Sequence, residues 1–432
     1  MHKLSPKITS TTQSSFQSNY QKTVLSNGLR IVTEKIPHVR SISIGVWINV
    51  GSRDEAPENN GISHFLEHAV FKGTKRYSAQ HIARSLEQVG GYLNAFTTKE
   101  NTCYYARILD EHLSKAIDVI SDMVQYPLFI DKEMEKEKNV ILEEMKNIED
   151  DPDDLIHDYF DRNVFYKHPL GNPIIGKAQN IKDFTRNDLA NFIKRHYVPQ
   201  QMVIAAAGNL SHQHLVDLVE TRFQIKATRS ASYTRPVGPK KMQPKKEIFE
   251  KPITQAHVCL GTLGHGVKSR QRYPIAVLNT VLGEGMSSRL FQNIREKYGF
   301  AYSVYSFANL MSDTGNFGVY IGTAHDKIDE SIDLIYGELE KAKAKPITEP
   351  ELKRAKAQIK GSMMLSLESM SSRMMRLGSG EFFFGNYIPL DEILRDVNRV
   401  TAVDVHTVAK SLFQFKNFST VIIKPSAKSA TS

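Results

Sequence analysis

Of the 432 residues, 41% are hydrophobic and 24% charged, an ordinary globular balance that excludes a mostly disordered chain and leaves room for two domains. The two cysteines, Cys103 and Cys259, are too few and too far apart for a disulfide framework or a Cys-based metal site, and no apolar run approaches the roughly 18 residues of a membrane span. The net charge of +9 is local: residues 1–33 and 226–246 carry eleven basic side chains and no acid, more than the whole surplus, yet show no nucleic-acid motif or aromatic-interleaved basic face, so nucleic acid is not an expected partner.

In chain order, residues 1–20 are rich in Ser, Thr and Gln and lack the apolar middle of a secretory signal. They read as a flexible tail, although their hydroxylated, acid-free composition is similar to that of an organelle transit segment. Alternating apolar and polar residues predict strands at Leu29–Thr33 and Ser41–Val50, with turn signals at Gly51-Ser52 and Asn59-Asn60-Gly61. A helical stretch, a strand pair within Asn94–Ile108 and a charged helix over Lys132–Glu149 follow. The acids from Glu149 to Asp158, broken by Pro152, read as a capped, solvated helix start. A strand-sized apolar run lies at Val203–Ala207, and residues 226–246, with their prolines and lysines, predict a basic linker.

The second half keeps step with the first. It has a strand at Ala256–Leu263, a helical stretch, a strand pair within Ala301–Gly322 and a charged helix at Glu349–Leu365. This pattern predicts a diverged internal duplication: two α+β domains, 21–225 and 247–432, each a mostly antiparallel sheet with helices packed on it.

The sharpest chemical feature is His64-Phe65-Leu66-Glu67-His68, the only histidine pair four apart among fifteen histidines. On a helix, two imidazoles one turn apart face the same way and can share a metal ion. Glu67 projects to that side and can take a proton from a water held there. A zinc site needs a third protein ligand. The charged helix offers Glu135, Glu137, Glu143, Glu144 and Glu149, and composition does not choose among them. Glu137 and Glu144 share one stripe with Val140, Ile141 and Met145 nearby, so that stripe can face inward.

The inverted order His-x-x-Glu-His resembles the pitrilysin/insulinase family of zinc peptidases, the inverzincins. Within that family the chain is most similar to the mitochondrial processing peptidase β subunit and its bacterial homologues, from Leu25-Ser26-Asn27-Gly28-Leu29 to the C-terminal strand. The resemblance implies one zinc ion per chain, held by His64, His68 and Glu144, with Glu67 as the base and Glu137 as a supporting acid. GGYLNAFTTKENTCYYARI resembles the family's edge strand that pairs with substrate backbone, which maps Asn94, Ala95 and Phe96 to substrate contacts. GEGMSSRLFQNIREKYGFAYSVYS resembles the segment whose Arg295 and Tyr302 stabilise the oxyanion. Asp154 and Asp158 match acids with which a processing peptidase holds a substrate arginine.

Single-chain relatives close four domains as a clamshell. Two domains are half of one, which implies a homodimer, or a heterodimer with a related subunit, in which each zinc site faces the partner's second domain. The linker would then act as a hinge. The expected function is a zinc endopeptidase acting on extended or unfolded peptides or presequences, in a bacterial cytoplasm or, alternatively, a mitochondrial matrix. The rival is a non-catalytic partner subunit, but such subunits typically lose part of the motif or the distal glutamate, and this chain keeps all four residues.

Overall fold

Strands form where β-branched, aromatic and small apolar residues run between turn residues. In the computed structural model, which describes residues 19–225 and 234–426, they build two sheets. The first contains β1 (Tyr20–Val24), β2 (Arg30–Lys35), β3 (Ser41–Ile48), β4 (Tyr92–Thr97), β5 (Thr102–Leu109) and β6 (Met202–Gly208), in the order β1-β2-β6-β3-β5-β4. The second contains β7 (Lys246–Lys251), β8 (Ala256–Gly264), β9 (Ala301–Leu310), β10 (Gly315–Thr323) and β11 (Ser419–Pro425), in the order β7-β11-β8-β10-β9.

Without β1, the two patterns coincide. One parallel pair, β2 with β6 or β7 with β11, is followed by antiparallel ladders alone. Shared strand order and strand sense are what an internal duplication leaves behind. The fold is α+β, two similar mostly antiparallel sheets with helices packed on them. The charged helices run over Asp131–Asp150 and Glu349–Ser366.

The chain forms two compact units, and they are not its two halves. One comprises residues 1–145, 173–236 and 366–389; the other comprises 146–172, 237–365 and 390–432. Each half lends a helix to the other's sheet. The helix Pro152–Val164 packs on β8 and β11, where Leu155, Ile156, Phe160 and Val164 share a buried cluster with Cys259, Val421 and Ile423. The helix Met370–Phe384 packs on β2, β3 and β6, where Met374 and Leu377 join Val32, Trp47, Cys103 and Val203. Its contact is close: a Cβ on Gly378 would lie 2.3 Å from the Trp47 ring. Buried Glu381 receives Lys22 at 2.7 Å and Arg30 at 3.3 Å, and Arg373 pairs with Glu34 at 2.6 Å.

These units run across the expected boundaries 21–225 and 247–432, and the chain passes between them five times. Most of the expected tail 1–20, and residues 226–233 of the linker, lie outside the described residues. Tyr20 already belongs to β1 and Lys246 to β7. Both cysteines are buried free thiols, and no described helix is long and apolar enough to cross a membrane.

Candidate metal centre

The motif lies on a short helix, Ile62–Ala69. Eight residues are too few to be helical on their own, and the residue at the N-cap position, Gly61, has no side chain to cap with. Glu55 does this work from outside. Its carboxylate accepts from the Gly61 and Ser63 backbone N–H groups, both at 2.8 Å, and from the Asn60 side chain at 2.9 Å. A negative charge at a helix N-terminus is favourable, and burial alone pushes the Glu55 carboxyl upward against those hydrogen bonds. Gly61 has φ +102°, and a Cβ there would lie 2.9 Å from the Gly176 backbone, so glycine is required at this turn. Phe65 and Leu66 bury the opposite face completely.

One face of this helix presents both histidines, their ring centroids 4.8 Å apart. Across from them, Glu144 comes in from the charged helix. Its Oε1 lies 3.7 Å from His64 Nε2 and its Oε2 3.7 Å from His68 Nε2. Ligands bound to a tetrahedral zinc at about 2.0–2.2 Å are separated by about 3.3–3.6 Å, so the triad is nearly closed around the volume one ion needs. Among the described residues, His64, His68 and Glu144 are the one group of three such side chains close enough to hold a metal ion.

The surroundings fit a metal as well. Burial first, and His68 second, push His64 down to about 4, which keeps it the neutral imidazole that a metal requires. Glu67 Oε2 is buried without a protein hydrogen-bond partner, and buried carboxylate oxygens are normally satisfied by a water or ligand. Burial raises the Glu67 carboxyl above its ordinary range; Thr97 and His68 oppose this and Glu144 adds to it. A raised carboxyl is a stronger proton acceptor than an ordinary one.

Glu137, buried, stands behind His68: its Oε2 is 3.3 Å from His68 Nδ1, and its Oε1 is 2.7 Å from Lys72 Nζ. Burial alone would raise Glu137, but His68 and Lys72 outweigh it and hold the carboxylate low. A carboxylate on the far nitrogen fixes a metal-binding imidazole's tautomer and orientation. Glu137 is therefore placed to orient a ligand rather than to touch the reacting atoms.

β4 is an edge strand of its sheet. Asn94, Ala95 and Phe96 pair on its inner side with Tyr105, Tyr104 and Cys103. The Phe96 ring packs edge-on against Trp47 at 5.6 Å, so its contribution to an added strand would come from the backbone. Asn94 Oδ1 accepts from the Ala95 N–H at 2.8 Å.

The remaining expected residues fall in the other unit. Arg295 lies on a π-helical turn, Phe291–Glu296, a form enriched at functional sites. Its guanidinium sits 5.4 Å from the centroid of the Tyr302 ring, and Tyr302 is 77% exposed, unlike a core tyrosine. Asp154 and Asp158 lie on the helix Pro152–Val164, Asp154 exposed and Asp158 half-buried. Asp151 caps that helix, accepting from the Asp153 N–H at 3.0 Å. Asp153 is diverted to His257 at 2.7 Å and to the Tyr320 hydroxyl.

Residues 30–178 match the family described as Insulinase (Peptidase family M16), and residues 183–359 match the Peptidase M16 inactive domain. The chain is 43% identical over 402 residues to the uncharacterized zinc protease YmxG of Bacillus subtilis, covering 93% of this chain and 97% of that protein. The chain belongs to peptidase family M16. It is also 40% identical over 398 residues to the uncharacterized zinc protease SCO5738 of Streptomyces coelicolor, covering 91% and 87% of the two chains. The crystal structure of a protease from Helicobacter pylori shares the fold, with a TM-score of 0.90 at 24% identity over 94% of this chain and 99% of that one.

Three residues that support the M16 motif escaped the sequence reading. Glu55 caps its helix, Thr97 ends the strand packed on that helix and Lys72 steadies Glu137. Only Lys72 left a local signal, one turn beyond His68. Because the motif helix is short and its cap comes entirely from Glu55, Glu55→Ala should weaken zinc binding by about tenfold and destabilise the fold by about 1–3 kcal/mol. Competition with a zinc-chelating dye and denaturant unfolding check both. Unchanged zinc affinity would mean the helix holds without its cap.

Proposed function

We propose that this chain is a zinc endopeptidase that hydrolyses extended or unfolded peptides, presequences among them. The observation that supports this most is the convergence of His64, His68 and Glu144 on one ion-sized volume, with Glu67 on the same helix. Bound zinc would supply Lewis acidity toward a peptide carbonyl and toward water. The protein's part follows from its own groups. His64 stays neutral, and both histidines hold position, His68 through Glu137 and Lys72. Glu67 takes the water's proton and passes it to the departing amine. The free edge of β4 pairs with an extended substrate backbone whatever its side chains. Arg295 and Tyr302 stabilise the oxyanion. Since both lie in the second unit, we propose that they serve the zinc site of a partner chain in a homodimer, or in a heterodimer with a related subunit. The two buried thiols fit a reducing compartment such as the bacterial cytoplasm.

Glu67→Gln should bind zinc as the wild type does, since the ligands remain, and lose about 10²–10⁴ in peptide hydrolysis. His68→Ala and Glu144→Ala should lose the zinc itself. Metal analysis beside a peptide-cleavage assay with and without chelator separates the two effects, and wild-type hydrolysis by Glu67→Gln would refute the assignment.

If the site is shared between chains, Glu67→Gln and Arg295→Ala should each be poorly active alone and recover activity when mixed, because one heterodimer site then has both parts intact. A fully active monomer by light scattering and assay would end that idea.

Asp154 and Asp158 should favour arginine two residues before the cleaved bond by about two- to tenfold over alanine, a modest factor because Asp154 is exposed. Changing both to Asn should flatten the preference and spare arginine-free peptides. A cleavage profile without that enrichment would leave a general peptide-degrading enzyme.

A further inference from the structure

Arg235 lies in the expected basic linker but does not behave as solvated linker charge. It donates Nε and Nη2 to the two carboxylate oxygens of Asp54 at 2.7 and 2.8 Å. Its Nη2 also reaches the Glu100 carbonyl at 2.8 Å and the Asn49 side-chain oxygen at 3.1 Å. Beside it, Arg53, whose side chain is 0% exposed, donates to Glu100 Oε1 at 2.6 Å and to the Pro236 carbonyl at 2.6 Å. Two arginines and two acids thus balance their charges in the interior and grip the segment 235–236 from both sides.

The quartet sits where two loops meet, and each loop leads to part of the metal centre. One, residues 50–55, ends at Glu55, which caps the motif helix. The other, residues 98–101, turns β4 into β5. Their backbones are knitted by Ser52 N–H to the Thr98 carbonyl at 3.3 Å and Arg53 N–H to the Lys99 carbonyl at 2.8 Å. A Cβ on Gly51 would lie 2.3 Å from the Thr98 carbonyl oxygen, so the loops cannot separate or slide without loss of close packing. Thr97 is the last residue of β4, the strand that packs on the motif helix carrying Glu67. Asp54 is fully buried at its side chain and Glu100 nearly so. Removing Arg235 would take from Asp54 its bidentate donor and from the Glu100 carbonyl its 2.8 Å hydrogen bond, a loss of buried hydrogen bonds that the loops could relieve by moving.

We propose that Arg235 is a positioning residue for the peptide hydrolysis described above: its bridge between Asp54 and the 98–101 turn sets the end of β4 and the loop that ends at Glu55, and through the packing of β4 on the motif helix and the Glu55 cap it sets the place of Glu67. This rests on the zinc-endopeptidase reading and adds to it a residue distant in sequence from the motif. Lysine cannot replace the arginine, because one ammonium cannot span a bidentate carboxylate and a carbonyl in a single plane.

The test uses the full, zinc-loaded chain with Arg235→Ala and Arg235→Lys. Both variants should bind zinc as the wild type does and lose about ten- to a hundredfold in kcat, with KM changed much less. The side chain of Arg235 is 20% exposed, so the gap it leaves is reachable from solvent. Millimolar guanidinium should therefore restore part of the Arg235→Ala rate, and sodium chloride at the same ionic strength should not. A merely structural role would not respond to guanidinium. Wild-type kcat in either folded variant, or a loss in Arg235→Ala that guanidinium leaves untouched, would overturn the proposal. If Arg235→Ala does not fold, Arg235→Lys decides: a folded, zinc-loaded Lys variant with reduced kcat supports the proposal, and one with wild-type kcat refutes it. A wild-type chain that hydrolyses no peptide would instead overturn the endopeptidase reading itself.

Discussion

The metal centre depends on an eight-residue helix that cannot hold itself. A helix of this length in water is marginal, yet this one must present His64, Glu67 and His68 to one point with little freedom. Glu55 supplies what the helix lacks, a buried carboxylate across its first N–H groups. Phe65 and Leu66 pin its other face. Glu137 and Lys72 fix one imidazole from behind. The cost of burying Glu55 and Glu137 is offset by hydrogen bonds and ion pairs, which hold the motif helix and the His68 ring in place.

The same logic explains why two sheets of one design differ in chemistry. Both have one parallel pair and a run of antiparallel ladders. In the first, the helix after β3 carries the motif; in the second, the helix after β8, Arg272–Gly283, has no histidine, and Arg295 and Tyr302 follow it, the latter in β9. The sheet is the retained scaffold, and the chemistry lives on what is attached to it. The helix exchange, with Pro152–Val164 on one sheet and Met370–Phe384 on the other, lets each half of the chain complete the core of its counterpart.

Much of this was legible in the sequence because it is local. Strand alternation, the charged helices and the His-x-x-Glu-His spacing depend on neighbours a few residues away, and the structure places them close to where the pattern does. Glu144 was not legible in that way: its helix carries six glutamates, and only the family's spacing singled one out before the geometry set it opposite both imidazoles. Arg235 was misread as linker charge because its acids lie some hundred residues or more upstream, and no local pattern marks a buried ion pair. The exchanged helices were invisible for a similar reason. An amphipathic stripe shows that a helix packs on a sheet, not which sheet it chooses. Asp153, counted within a solvated acidic run, is in fact committed to His257 and Tyr320.

The most direct measurement is anomalous diffraction at the zinc absorption edge from crystals of the zinc-loaded protein. The account predicts a single strong peak per chain, about 2.0–2.2 Å from His64 Nε2, His68 Nε2 and a Glu144 carboxylate oxygen, with Glu67 beside it but outside bonding distance. A peak elsewhere, or one bonded to Glu137 in place of Glu144, would contradict it.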